Sequence, residues 1–149
     1  MNETVKSIKE LLVRDLDRLS IEIEAYNDEA NMWKLSGDIS NSAGNLCLHL
    51  CGNLKHFIGA TVGNSGYVRM REDEFNLKNI PKSELTQNIS ETKEAVIVAL
   101  DNFDESLLEK PFPIEVFDKP ISHVLFMIHL TSHLNYHLGQ INYQRRLED

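Results

Sequence analysis

The sequence is poor in most features that mark a secreted, membrane-spanning or nucleic-acid-binding protein. It holds two cysteines, Cys47 and Cys51. Four residues apart, they give neither a disulfide framework nor a CxxC redox pair, and they suit a reducing compartment, most simply the cytoplasm. No apolar run approaches the ~20 residues of a membrane span. The opening MNETVKSIKE is charged where a secretory signal needs an apolar core. Positive charge is also scarce: 15 Lys and Arg face 23 Asp and Glu, a net charge of -8. A phosphate backbone would be repelled, so nucleic acid is not an expected partner. Prolines number four, three of them between 110 and 120, which leaves the rest of the chain free to form long helices.

What is present has the period of a helix. Val5, Ile8, Leu12, Leu16, Leu19, Ile23 and Tyr26 recur every three or four residues, which predicts a first helix over roughly 2–29. A polar stretch with Gly37 and Asp38 follows, and Asn41 or Ser42 offers an N-cap for a second helix over about 42–62. That segment, SAGNLCLHLCGNLKHFIGATV, is apolar nearly all round and is expected to be the most buried. A loop over 63–81 contains the charged cluster from Arg69 to Glu74, expected to be solvated, with Arg69 and Arg71 near the mouth of any site. Ser83 is then expected to cap a third helix with the stripe Leu85, Ile89, Val96, Leu100 and Phe103. The proline-rich stretch 110–120 reads as an irregular connection, and a last helix follows over 121–147. Four amphipathic segments with no convincing strand predict one all-α domain over 1–149, a four-helix bundle with long connecting loops.

The last helix carries His129, His133 and His137 in HLTSHLNYHLGQ. Residues four apart share one face and drift only ~40° per step, so the imidazoles form a ladder. The outer two stand ~12 Å apart along the axis, which is too far for one ion. An adjacent pair can chelate, and a further ligand must come from another helix. His49 is the candidate. It shares a face with Asn45, Gly52, Asn53, His56 and Ala60, and a polar stripe on an apolar helix needs a buried polar partner. Cys47 and Cys51 point the other way and read as small buried hydrophobes. His56 and His123 read as surface or capping residues. His129 reads as a group behind a ligand or as a core residue.

Other ligand grammars are missing. There is no ExxH pair for a ferritin-like di-iron site, no HExxH for a zincin, and no Cys/His spacing for a zinc finger. Three histidines around one ion would leave coordination positions open, which marks a catalytic rather than a structural site. Such an ion activates a water or a thiol near neutral pH. Asn53 and Gln140 are placed to orient imidazoles or a bound water. No general base is visible, and the catalytic residues are left unassigned.

SAGNLCLHLCGNL, the ending HxxxHxxxHLGQI and, more weakly, RMREDEF resemble the DinB/YfiT-like superfamily of bacterial metal-binding four-helix bundles over almost the whole chain. The resemblance implies ligands His49, His133 and His137 around nickel, zinc or a similar divalent ion, with His129 where relatives often carry a non-ligand histidine. It also implies a homodimer and a small-molecule substrate. Characterised relatives include thiol-dependent S-transferases and an isomerase, and most members are described as metal-dependent hydrolases; a low-molecular-weight thiol is therefore a possible cosubstrate. The all-round apolar second helix argues for the dimer too, unless the loops 63–81 or 110–120 cover it.

Overall fold

A computed structural model describes residues 1–149, and it is all-helical, with five α-helices and no strand. Helix α1 spans Glu3–Glu24, and Asn2 caps it by accepting from the Thr4 amide at 2.7 Å. A 3₁₀ turn over Glu29–Trp33 follows, so the first helix ends earlier than its periodicity suggests; Tyr26 stays buried beyond the helix end. Helix α2 spans Ala43–Leu54 and runs on without a break as a π-helical stretch, Lys55–Val62. Ser42 is its cap, accepting from the Asn45 amide at 3.2 Å. A cap of this kind contributes about 1 kcal/mol.

The short helix α3, Arg71–Asn76, lies where a solvated loop was expected. Helix α4 spans Lys82–Asp101; Pro81 occupies its N-cap position, and Ser83 sits inside the first turn rather than capping it. Phe103, placed on the core stripe of this helix, lies beyond its end and is only partly buried. Proline explains the shift, since its fixed φ suits a helix start and it lacks an N–H that would need a partner. The 110–121 connection is irregular, as its prolines require, and is held by Phe112 N–H donating to Ile121 O at 2.7 Å and His123 N–H to Lys110 O at 3.0 Å. Helix α5, His123–Glu148, is capped by Ser122.

The long helices pack α1 against α4 and α5, and α2 against the same two. Twenty-nine buried apolar residues form one core cluster between them. Asp15 is fully buried on the apolar stripe of α1, bonded to Arg14, to Arg18 and, across to α5, to Asn135 Nδ2 at 3.0 Å. Helix α2 is the most enclosed. Cys47, Leu50, Cys51, Leu54 and Ile58 have no exposure at all, because α3, α4, α5 and the 29–33 turn surround it. The case for a second copy on this helix therefore falls: the 63–81 segment, through α3, covers it within one chain. No helix is long and apolar enough to cross a membrane.

Candidate metal centre

Helices α2 and α5 face each other, and their contact brings His49, His133 and His137 together. One ring nitrogen from each lies within 4.8 Å of the other two. The Nε2 atoms of His49 and His133 are 3.1 Å apart. That is close to the ~3.4 Å between neighbouring nitrogens of a tetrahedral ion bonded at ~2.1 Å.

Each imidazole is oriented from behind, except one. His49 Nδ1–H donates to Glu74 Oε1 at 3.1 Å, and His137 Nδ1–H donates to Gln140 Oε1 at 2.7 Å. Both acceptors fix the tautomer that leaves the Nε2 lone pair free. His133 Nδ1 is buried with no partner, so however its proton is placed one of its nitrogens is unsatisfied or faces the lone pair of His49. A cation between the Nε2 atoms removes that lone-pair conflict. The residues present therefore fit a metal ion.

The electrostatics point the same way. Burial holds His133 down to about 3, helped by the charges of His137, His49, His129 and Arg69. Burial also lowers His137, outweighing the bond from Gln140. Both rings are thus neutral at physiological pH, as ligands must be.

Glu74 was not anticipated as part of the site. It is 5% exposed, and Arg69 grips it with Nε to Oε2 at 2.8 Å and Nη2 to Oε1 at 2.9 Å. Burial pushes its carboxyl up, but the His49 and Arg69 hydrogen bonds outweigh that and keep it below its ordinary value. It is an ionised carboxylate that polarises His49. Its place is prepared by two residues of the helix-two polar stripe. Asn45 Nδ2 donates to the carbonyls of Glu74 and Leu77 at 2.9 and 2.8 Å, and Gly52 leaves the space that the carboxylate fills. The stripe thus serves Glu74 as much as the histidines. The polar stripe signalled that a polar partner packs there, but nothing in the 69–74 string singled out Glu74 as that partner.

The remaining predicted residues sit around the group rather than in it. Asn53 is buried beside His49 without bonding an imidazole, and its Oδ1 has no partner. His129 is exposed, its ring 4.8 Å from that of Phe117 and stacked 6.1 Å from that of His133. It stands beside His133, not behind it. His56 is half-buried outside the group. His123, expected at the surface or at a cap, is buried at the first residue of α5, with Nδ1 2.8 Å from Lys110 O; it anchors the preceding loop.

Two clefts reach the three histidines. One of about 240 Å³ is walled by His49 and His133 with Arg69, Arg71 and three phenylalanines. Another of about 580 Å³ meets His137 and Gln140, with Tyr136 and Tyr143 on its rim.

Fold and site together define an all-helical protein with a partly buried three-histidine group able to hold a metal ion. The chain belongs to the family described as protein of unknown function DUF1572, which it matches over residues 1–148. A search of curated proteins finds no match.

Proposed function

We propose that this chain is a metal-dependent enzyme of the DinB/YfiT-like type, a four-helix bundle in a single domain. His49, His133 and His137 hold one divalent transition ion, nickel or zinc, and the substrate is a small molecule. The observation that carries this reading is the convergence of three imidazoles, two of them held neutral by burial, with a cleft on either side: His49 and His133 line one and His137 the other. A structural site would be closed, whereas three protein ligands leave positions for water and substrate.

The ion, when bound, supplies Lewis acidity and lowers the pKa of a coordinated water or thiol. The chain's own residues do the rest. Glu74 and Gln140 lock the His49 and His137 tautomers, and Arg69 holds Glu74 ionised. The apolar walls Phe57, Phe126 and Leu130 exclude bulk water, which strengthens every electrostatic interaction inside. Hydrolysis and thiol transfer both fit this arrangement. Free, fully buried Cys47 and Cys51 are consistent with a reducing cytoplasm.

A binding or sensing module is the rival, and one observation favours it: the carboxylate nearest the histidines, Glu74, is already committed to Arg69 and His49. Elemental analysis of protein purified without a metal-affinity tag, followed by small-ester and thiol-conjugation assays, separates the readings. About one nickel or zinc per chain with turnover supports the enzyme. Metal without turnover supports the rival, and failure to take up metal on reconstitution sinks both.

A further inference from the structure

The outward face of α5 is apolar, and nothing within the chain covers it. Leu125, Ile128, Tyr136, Tyr143 and Leu147 stand exposed along it. Exposed Val116 and Phe117 of the 110–121 connection extend the patch beside its N-terminal half, where Phe117 touches Phe126 and His129. At ~200 Å² for a fully exposed large side chain, these residues present roughly 800 Å². Patches on monomers reach ~300–600 Å², and a standard interface takes about 800 Å² from each partner. None of these residues is charged, so two copies of net charge -8 can meet here without opposing like charges within the patch. The patch also borders both clefts. Tyr136, Tyr143 and Leu147 line the 580 Å³ cleft that reaches His137 and Gln140. Phe117 and His129 line the 240 Å³ cleft, their rings 4.8 Å apart. His129 is exposed and lies outside the three-histidine group of its own chain.

We infer that a second copy of this chain docks antiparallel on α5 and completes the larger cleft, with His129 of the partner subunit on its rim. A two-fold axis that runs α5 antiparallel to itself pairs the N-terminal half of each helix with the C-terminal half of the other. It also leaves the α2-facing sides of both helices, where the clefts open, on the same side of the seam. With Tyr136 at the axis, His129 lies seven residues before it and Tyr143 seven after. The partner's His129 therefore stands level with Tyr143, across the ~8–10 Å that separates packed helices. The partner's Phe117 is carried beside that histidine and comes over the Tyr143–Leu147 end of the rim. The 580 Å³ cleft of one chain and the 240 Å³ cleft of the other then adjoin as one chamber. Closing the open side in this way sheds water from the approach to His137 and strengthens the electrostatic interactions there. The inference rests on the cleft at His137 being part of the reacting site.

Disulfide trapping tests it. Positions 129 and 143 lie ~21 Å apart along one helix, and a disulfide needs Cα atoms within ~7 Å, so a link between them must join two chains. The double variant His129→Cys/Tyr143→Cys, oxidised with diamide, should run at twice the chain mass on a non-reducing gel and return to 17.1 kDa on reduction. Leu125→Cys/Leu147→Cys should do the same, being eleven residues either side of Tyr136. All four single variants should stay at the chain mass, because a lone cysteine meets its own copy only at the axis. Native Cys47 and Cys51 are fully buried and give no background. All these positions are exposed, so the variants keep the fold, which circular dichroism checks. Absence of the 129–143 link, or a link in any single variant, overturns the shared cleft. A 125–147 link without the 129–143 link overturns it too, since the dimer then leaves His129 off the rim. Trapping needs no metal, so the metal content of the same samples judges the three-histidine reading separately.

Discussion

The side chain of Glu74 occupies the space that any Cβ at Gly52 would take, so this glycine is what lets the carboxylate reach His49. Helical glycine costs ~1 kcal/mol relative to alanine, so its presence in α2 calls for such a reason. Gly52→Ala should push the carboxylate off His49. We expect metal affinity to fall about 10–100-fold, as it does when a ligand's supporting group is lost. Glu74→Gln should fall within the same range without adding volume to the helix. Competition titration against a chromophoric chelator measures both, and a Gly52→Ala protein with native affinity would show that Glu74 does not support the site.

His133→Ala should abolish tight stoichiometric binding while leaving a helical protein, since the ring lies at the edge of the core rather than in its centre. Saturating nickel or zinc should raise the wild-type melting temperature. A ligand at a hundred times its Kd adds ~2.7 kcal/mol. The variant should show no such shift. Equal metal-induced stabilisation in both proteins, read by circular dichroism, would falsify the ligand assignment.

The pH dependence follows from the same residue. In the fold His133 holds no proton until about 3, whereas its ordinary value is 6.5. Between those values the unfolded chain binds a proton that the folded chain refuses, so stability rises with pH across the window. Metal-free protein should therefore begin to lose stability as pH drops below about 6.5. Glu74 adds to this lower down, because its folded value is depressed and its contribution goes as the carboxylate protonates. His133→Gln should remove the upper part of the slope and keep the carboxylate part. Melting curves from pH 7 to 4 check it; a flat wild-type profile above pH 5 contradicts the buried neutral imidazole.

The helices were legible because long amphipathic segments reveal their period, and the histidine ladder because residues four apart must share a face. Glu74 was hidden. It sits in a run of five charged residues, RMREDE without its methionine, and nothing in that string says which acid is buried. The answer lies across the fold, in the hole left by Gly52 and the amide of Asn45. Helix ends were blurred for a local reason: the periodicity of α1 continues to Tyr26 although the backbone stops at Glu24.

A homodimer remains the expected assembly, but through α5 rather than α2. Leu125, Ile128, Tyr136, Tyr143 and Leu147 are 53, 47, 65, 67 and 76% exposed, and exposed Ser132 and Gly139 complete a stripe spaced three and four apart. That stripe repeats every eleven residues, from Leu125 to Tyr136 to Leu147, and it has no charge in it. It is also nearly symmetric about Tyr136. With α5 antiparallel to a second copy about Tyr136, Leu125 meets Leu147, Ile128 falls one residue from Tyr143, and Ser132 one residue from Gly139 of the other chain. A Cβ at Gly139 would touch nothing within 4 Å in the monomer, so no contact inside the chain accounts for a glycine in mid-helix. A close helix crossing does, since the two-fold seam sets small residues beside the central tyrosine pair. Sedimentation equilibrium at micromolar protein should give twice the chain mass of 17.1 kDa. Tyr136→Glu should halve it by burying like charges at the axis, with the helical spectrum unchanged. A wild-type species at the monomer mass, or a Tyr136→Glu protein that stays dimeric, rules out this interface.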